Sequence, residues 1–517
     1  MSETAGVQAS ANEAQHLQGG VLFGVIVLLA LANFMAVLDL TIVNVAVPHI
    51  AGSLAVSPNE GTWAITSYAV AEAITVPLTG WLAARFGAVR VFVTAAACFG
   101  LFSMLCGFAP SLSTLVIFRL LQGLSGGPLM PMSQTLLMRV TPPRRVQMAL
   151  GLQTMTTILA PIAGPVIGGI LTDSVGWPWA FYINVPISIF VSLSVWRLLK
   201  SRETATVAER VDYVGLGLLV VWIGALQIML DNGQDKDWFA SPLIVALAVV
   251  AAIGFVAFLI WELTDDHPIV DLSVFANRTF SVMAAAMAFT FGAFFAVVVL
   301  IPLWLQSNMN YTATWAGYVM AFQGVLGVAM APVAAMLISR VDPRLLMSVG
   351  ISILAAVTLW RTTFNQDITF WQLVLPQLLT GLGIPLFFVP LLGLSIAAVP
   401  SSKTASAAGL VNFIRTMSGA LGTALVTTAW DRATTNARVD LVGNLHQPQN
   451  MLTTMQTHGL SASQALNSFD SLVQGQAVML ATNRVFLTLA VIIATVAAGV
   501  WLSPKPKAPV AMGAGAH

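Results

Sequence analysis

Three charged residues stand inside long apolar segments of this sequence: Asp39, Glu72 and Arg119. A charged side chain within a bilayer costs at least ~2.5 kcal/mol even on the scale from insertion experiments, so a function must justify it. Counted from the outer end of each segment at 1.5 Å per residue, the three lie ~14, ~16 and ~9 Å deep. They therefore share one layer, and we expect them to form a proton-coupling site.

The chemistry expected of this layer is proton exchange. Arginine keeps its proton, whereas a carboxylate can gain or lose one. A neighbouring cation favours the charged carboxylate and burial disfavours it, so access to water or to a cationic ligand can change its protonation state. Asp39 or Glu72 would take up a proton outside and release it inside. The alternatives are structural, with Asp39 bonded to the backbone or to Thr41, and with Glu72 and Arg119 as packing anchors.

The composition indicates an integral membrane protein. Of 517 residues, 57% are hydrophobic and 8% are charged, whereas soluble domains carry ~25% charged residues. A net charge of +1 argues against nucleic acid as a partner. Cys98 and Cys106 lie ~12 Å apart on one helix and cannot form a disulfide. The sequence carries no metal or phosphate motif, so we expect no metal site and no cofactor beyond the proton gradient.

Fourteen apolar stretches have about the 20 residues that a membrane-spanning helix needs. They fall near residues 21–47, 62–83, 91–110, 113–138, 147–171, 179–199, 213–230, 241–262, 280–305, 315–339, 345–363, 371–397, 404–430 and 479–502. Lys and Arg concentrate in the loops on the side of the N-terminus, which predicts that both termini are cytoplasmic.

A coarse internal repeat predicts two six-helix halves. A short basic turn at 80–90 joins the second and third stretches, and a weaker copy at 339–344 joins the tenth and eleventh, as in secondary transporters. The domain limits that we expect are a tail at 1–20, a first bundle at 21–200, a linker with two extra spans at 201–275, a second bundle at 276–502 with an external excursion at 431–478, and a tail at 503–517. Apolar residues at helical spacing predict a helix over 451–480 within that excursion.

Several segments resemble the major facilitator superfamily. The loop at 80–90 resembles its loop motif, and 160–169 resembles its antiporter signature. Segments 38–48, 177–186, 226–231 and 261–272 are similar to its fourteen-span drug:proton antiporters, especially the EmrB-type pumps. The resemblance implies an all-α fold of two six-helix bundles plus two inserted helices. It also implies proton-driven export of lipophilic drugs across a bacterial inner membrane, with a periplasmic adaptor of the EmrA type and a TolC-type outer-membrane channel.

The signature-like segment has its own physical rationale. Gly164 and Gly168 are spaced by four and give a smooth face that a neighbouring helix can approach closely. Gly169 extends this packing motif, and Pro161 and Pro165 remove backbone donors and bend the helix. A tight, bent seam can seal the cavity against proton leakage, with generic packing as the alternative.

The loop at 80–90 is a candidate inner gate. Gly80 and Gly87 permit a tight turn, and Arg85 and Arg90 face the cytoplasm. The superfamily pattern usually places an acidic residue where this chain has Ala84, so an acidic latch within the motif is missing. Plain anchoring of the topology by the two arginines is the alternative.

A drug cavity is expected between the halves. Its candidate lining residues are Gln122, Met155, Phe295, Asn412 and Arg415, and methionine adapts its shape to varied apolar compounds. Arg415 can contact substrate, close the inner gate, or extend towards the cytoplasm. Acids in the cavity favour lipophilic cations, whereas Arg415 leaves room for anions such as fatty acids.

Other functions fit the sequence less well. Residues 123–127 match the G-x-S-x-G pattern of serine hydrolases around Ser125. Such a serine needs a base, and all six histidines lie in tails or loops. We therefore expect a transporter and not an enzyme. A channel would lack saturable, proton-dependent counterflow. The remaining alternative is a proton-coupled transporter of one specific metabolite or fatty acid.

Overall fold

The predicted apolar stretches fold as helices because a backbone surrounded by lipid must satisfy its own hydrogen bonds. The computed structural model describes residues 17–207, 211–338, 340–444, 448–458 and 460–505. Within these ranges each of the fourteen predicted stretches is built of helix, and no residue forms a β-strand. Most of both predicted tails, 1–16 and 506–517, lies outside the described residues.

The N-terminal half contains eight helices that position the candidate site. They are α1 (Gly19–Ser53), α2 (Trp63–Thr75), α3 (Thr79–Phe86), α4 (Ala88–Gly107), α5 (Leu112–Gly126), α6 (Leu129–Val140), α7 (Val146–Ser174) and α8 (Asn184–Leu199). Two predicted spans are broken, α2 from α3 beside Pro77 and α5 from α6 at Pro128. A proline removes a backbone donor and so favours a break.

An inserted pair and a C-terminal half follow. The inserted pair is α9 (Tyr213–Asn232) and α10 (Pro242–Thr264), which pack against each other, and α9 also packs against α2. The C-terminal half contains α11 (Arg278–Asn308), α12 (Ala313–Leu337), α13 (Pro343–Trp360), α14 (Phe370–Ala397), α15 (Thr404–Gly443), α16 (Pro448–Thr457) and α17 (Ala462–Gly499).

The number of spans is only partly settled by helix length and composition. Ten helices in the described ranges are long and apolar enough to cross a membrane, or eleven if α7 is one span. Helix α7 bends by 46° between Val146–Pro161 and Val166–Ser174, where Pro161 and Pro165 predicted a bend. The other predicted spans correspond to the two broken pairs and to α15. The count of fourteen and the domain limits stay predictions.

Helices α15 and α17 continue well beyond their predicted spans. Helix α15 has 40 residues and is about 60 Å long, twice the hydrocarbon thickness of about 30 Å. Arg438 of α15 pairs with Asp470 of α17 at 2.6 Å. The predicted excursion at 431–478, which we call the outer hairpin, is largely helical. The single helix predicted over 451–480 is instead formed by two helices, since α16 ends at Thr457 and α17 begins at Ala462. Helix α15 runs to Gly443 rather than ending at the predicted residue 430.

The two halves touch on the side of the 80–90 loop. A Cβ atom at Gly80 would lie 2.8 Å from the Cα atom of Ser406, at the start of α15. The Asn412 side chain on α15 donates a hydrogen bond to Gln134 Oε1 on α6 at 2.7 Å. These contacts close the molecule on this side.

Candidate transport site

Asp39 and Arg119 form a fully buried ion pair between α1 and α5. Arg119 Nη1 donates to Asp39 Oδ2 at 2.5 Å, and neither side chain is exposed. Thr41 donates to the carbonyl of Leu38 at 2.9 Å instead of bonding to Asp39. The similar depths of the two charges in their helices predicted this contact. The alternative, a hydrogen bond between Asp39 and Thr41, does not form.

The Asp39 carboxylate is held by two more donors. Gln122 Nε2 donates to Oδ1 at 3.0 Å, and Asn184 Nδ2 on α8 donates to the same oxygen at 2.7 Å. Asn184 also donates to Ser103 Oγ on α4 at 3.1 Å, and that hydroxyl donates to the backbone carbonyl of Phe181. Side chains from α5 and α8 therefore meet at the Asp39 carboxylate of α1, and Ser103 of α4 is connected to it through Asn184.

Arg119 has contacts that do not depend on Asp39. Its Nε donates to the carbonyl of Ala64 on α2 at 2.7 Å, and its Nη1 also donates to Gln122 Oε1 at 2.8 Å. The guanidinium lies 4.3 Å from the ring centre of Tyr68, a cation–π distance. Its Nη2 has no hydrogen-bond partner among the described residues. Arg119 is thus anchored to α2 and α5 independently of α1.

Small residues bring α5 against α2 at this site. A Cβ atom at Gly123 would lie 2.8 Å from Ala71 Cβ, and one at Gly127 would lie 2.9 Å from the Glu72 carbonyl oxygen. The glycines of the G-x-S-x-G pattern therefore serve packing. The Ser125 hydroxyl donates to the Leu121 carbonyl of its own helix at 2.9 Å.

Glu72 is not part of the Asp39 and Arg119 pair. It is half-buried on α2, and among the described residues no hydrogen bond or ion pair joins it to either partner. Its carboxylate interacts electrostatically with Arg415 of the other half. Arg415 Nη2 lies 3.1 Å from Met130 Sδ, and its guanidinium is 5.9 Å from the Phe291 ring centre. The expected three-charge cluster is therefore a closed ion pair of Asp39 and Arg119, with Glu72 beside it as a partly buried carboxylate. Glu72 interacts electrostatically with Arg415 of the other half and also with Asp39 and Arg119.

Two predicted cavity residues have other roles. Gln122 is fully buried in the Asp39 network, and Asn412 is 1% exposed in its bond to Gln134. Their side chains therefore do not line an open cavity in this structure, which corrects the prediction. Phe295 is half-buried against Phe291, with ring centres 5.7 Å apart, and Met155 is half-buried on α7.

The signature-like segment packs α7 against α1. A Cβ atom at Gly164 would overlap Thr41, and one at Gly168 would lie 3.2 Å from the Ile42 carbonyl. A Cβ atom at Gly169 would meet nothing within 4 Å, so the packing prediction is wrong for that residue. The Pro165 side chain lies outside the described residues.

The acidic residue that the 80–90 loop lacks is supplied by the linker after α8. Gly87 turns the chain with φ +91°, and Glu203 then accepts hydrogen bonds from the backbone N–H groups of Val89 and Arg90, each at 2.9 Å. A carboxylate at a helix N-terminus is favoured by the helix dipole. Arg85 lies over the rings of neighbouring aromatic residues. Sequence reasoning missed Glu203, although the charged linker was a signal.

Comparison with known proteins identifies the family. A model of the Major Facilitator Superfamily matches residues 29–423, which is most of the chain. The chain belongs to the major facilitator superfamily. The predicted all-α facilitator fold is confirmed, and the protein is a multi-pass membrane transporter.

Relatives within the superfamily match nearly the whole chain. The Multidrug export protein EmrB of Haemophilus influenzae is 41% identical over 96% of this chain and 98% of its own. The protein of the same name from Escherichia coli is 39% identical over 97% and 99%. The Fatty acid resistance protein FarB of Neisseria gonorrhoeae is 41% identical over 97% and 99%.

A solved structure supports the facilitator fold. The crystal structure of the human organic anion transporter TETRAN has a TM-score of 0.57 with 13% identity, and the alignment covers 92% of this chain and all of that one. At this identity the likeness concerns the fold alone.

Proposed function

We propose that this facilitator is a proton-driven antiporter that exports lipophilic drugs, with Asp39 as the proton carrier. Relatives named multidrug export proteins match it over nearly its whole length. The observation that carries the proposal is the buried pair of Asp39 and Arg119, because it places a titratable group at the junction of several helices. As a member of this superfamily the chain acts as a transporter and not as an enzyme.

The structure fits the state in which Asp39 has released its proton. The carboxylate accepts hydrogen bonds from three donors, which suits an ionised, acceptor-only group. A proton that arrives from the outer side neutralises Asp39 and removes its attraction to Arg119. Loss of one charge from a buried pair costs about 3–5 kcal/mol, which is enough to shift a two-state equilibrium strongly.

Arg119 stays in place during this change. Its bonds to the Ala64 carbonyl and to Gln122, and its contact with Tyr68, survive when Asp39 becomes neutral. Helix α1 is then released from α5, and α7 moves with it because the two pack closely at Gly164. One proton per cycle supplies ~2.3 kcal/mol per 100 mV of membrane potential.

The drug binds between the halves beside Glu72 and Arg415. Both side chains are half-buried, come from opposite halves and interact electrostatically. A cationic drug competes with Arg415 for Glu72, and its charge favours the deprotonated form of the nearby carboxylates. Entry of the drug therefore promotes proton release.

Export continues through a periplasmic assembly. We place the protein in the bacterial inner membrane with both termini in the cytoplasm, because Lys and Arg concentrate in the loops on that side. The outer hairpin then projects into the periplasm, where Arg438 bonds to Asp470 and to Gln474. It forms the contact for an adaptor of the EmrA type, which connects to a TolC-type outer-membrane channel.

A second candidate is export of an anionic fatty acid. The relative FarB is named for fatty acid resistance, and the Arg415 guanidinium between the halves offers a cation to a carboxylate. Transport by Arg415→Met distinguishes drug export from fatty acid export. Loss of this cation should weaken export of a fatty acid and leave export of a cationic dye unchanged.

Transport in everted membrane vesicles tests the proposal, with ethidium as the cationic probe. Wild-type vesicles are expected to accumulate ethidium when energised and to lose it on addition of a protonophore. Asp39→Asn is expected to abolish this accumulation at equal expression. Asp470→Asn is the matched control, because that carboxylate is exposed in the outer hairpin, and it keeps transport. Proton-driven accumulation by the Asp39 variant would overturn the proposal.

A further inference from the structure

A second buried arginine lies in the core of the C-terminal half, outside the site described above. Arg361 follows α13 and is 2% exposed. Its Nη2 donates to Thr380 Oγ1 at 2.7 Å, to Gln377 Oε1 at 3.2 Å and to the Pro376 carbonyl at 3.5 Å. All three acceptors are neutral oxygens, and all three bonds use the same nitrogen.

Arg361 has no acidic partner in the described part of the chain. None of the ion pairs found there includes it, whereas Arg119 in the other half has Asp39 at 2.5 Å. A buried charge without a counter-charge costs several kcal/mol. The same chain therefore neutralises one buried guanidinium with a carboxylate and leaves the other to be neutralised differently.

A small cavity adjoins the Arg361 side chain. Its volume is about 10 Å³, which is room for about one water-sized particle. Polar side chains around it come from α12, α13 and α14, and apolar side chains from α11 and α17 complete the wall. The polar members are Gln323, Thr358, Arg361, Gln377 and Thr380. No hydrogen bond within the described residues uses Nε or Nη1 of Arg361.

We infer that this cavity binds a small monovalent anion of the halide class, which is chloride under ordinary salt conditions. The Arg361 guanidinium supplies the charge and N–H donors, and the Gln323 amide supplies a further donor. The cavity is too small for phosphate or for a carboxylate with a chain. The anion would cancel the buried charge and hold α12, α13 and α14 together.

Thermal unfolding of the full chain in detergent tests this inference. Sodium chloride is replaced stepwise by sodium gluconate at constant ionic strength. The wild-type midpoint is expected to rise with chloride and then level off, as for any ligand that binds only the folded state. Arg361→Met removes the dependence. Arg438→Met is the matched control, since that arginine lies exposed in the outer hairpin, and it keeps the dependence.

Binding of radioactive chloride to the wild-type protein gives an answer without any variant. We expect one chloride per chain, displaced by bromide and not by gluconate or phosphate. Absence of bound chloride, a wild-type midpoint equal in both salts, or an unchanged chloride response of Arg361→Met would overturn the inference. Equal displacement by phosphate would overturn the halide assignment. None of these results bears on Asp39, so the transport proposal stands or falls separately.

Discussion

The charges of Asp39 and Arg119 should be strongly coupled in stability. Asp39→Asn leaves Arg119 as a fully buried cation without a counter-charge. It also replaces one of the two acceptor oxygens by an N–H₂ group, although three donors point at this side chain. Arg119→Gln leaves the carboxylate unpaired. Each single substitution is expected to cost about 3–5 kcal/mol of unfolding free energy. The double variant removes both charges, so it should recover at least about 2 kcal/mol relative to the sum of the singles.

Unfolding by titration with a denaturing detergent measures this coupling in the purified protein. The control cycle uses Arg438→Gln and Asp470→Asn, an exposed pair at 2.6 Å, for which the coupling should stay below about 1 kcal/mol. The double variant of the buried pair should fold but fail to couple transport to protons. If the double variant loses as much unfolding free energy as the two single variants together, Asp39 and Arg119 do not stabilise each other's charge, and the reasoning is wrong.

Three further predictions concern packing, capping and pH. A leucine at position 164 would overlap α1, so Gly164→Leu should lower both stability and transport. Gly169→Leu is the control, because a Cβ atom there meets nothing within 4 Å, and it should keep both near wild type. Thermal midpoints measure the stability of the two variants, and vesicle assays measure their transport. Glu203→Ala removes an N-terminal cap and should cost about 1 kcal/mol in detergent titration, and an unchanged value would contradict the capping role. Arg344 donates to Asp342 and holds the pKa of that carboxyl below its usual range, so the ion pair stabilises the fold above the ordinary pKa of ~3.9. Asp342→Asn should therefore lower the midpoint at pH 7, and the difference should vanish as the pH falls through the folded-state pKa; a difference independent of pH would refute it.

The sequence predicted both the helices and the contact between Asp39 and Arg119, and both predictions rest on the apolar runs. Long apolar runs determine which segments are helical in lipid, and the position of a residue along its run determines its depth. Asp39 and Arg119 have compatible depths, and the structure places them in contact at 2.5 Å. Equal depth was not sufficient for Glu72, which lies in the same layer but faces the other half.

The residues around the buried pair depend on how each helix is rotated about its axis and on which helices are neighbours. The depth of a residue in the membrane specifies neither. Gln122 lies three residues after Arg119, so one helix face carries both into the network. Asn184 and Tyr68 reach the site only because α8 and α2 happen to be neighbours of α1 and α5 in the fold. Glu203 lies more than 100 residues from the loop that it caps. The charged linker marked the segment that carries Glu203, but the sequence did not show which loop that segment contacts.

The extent of α15 was underestimated because hydrophobicity marks the membrane and not the end of a helix. Residues after 430 are polar, yet the chain remains helical to Gly443. The partner helix α17 supports this extension through the bond between Arg438 and Asp470. Polar helices outside the bilayer need such tertiary contacts, and they are not visible in hydropathy.

Counting protons during drug binding tests the central claim most directly. A weakly buffered solution of the purified protein is mixed with a dye that the wild type exports from vesicles, and the pH change is recorded. The wild type should release about one proton per bound dye, and the double variant of Asp39→Asn and Arg119→Gln should bind dye and release none. Equal proton release by the double variant would show that another group carries the proton.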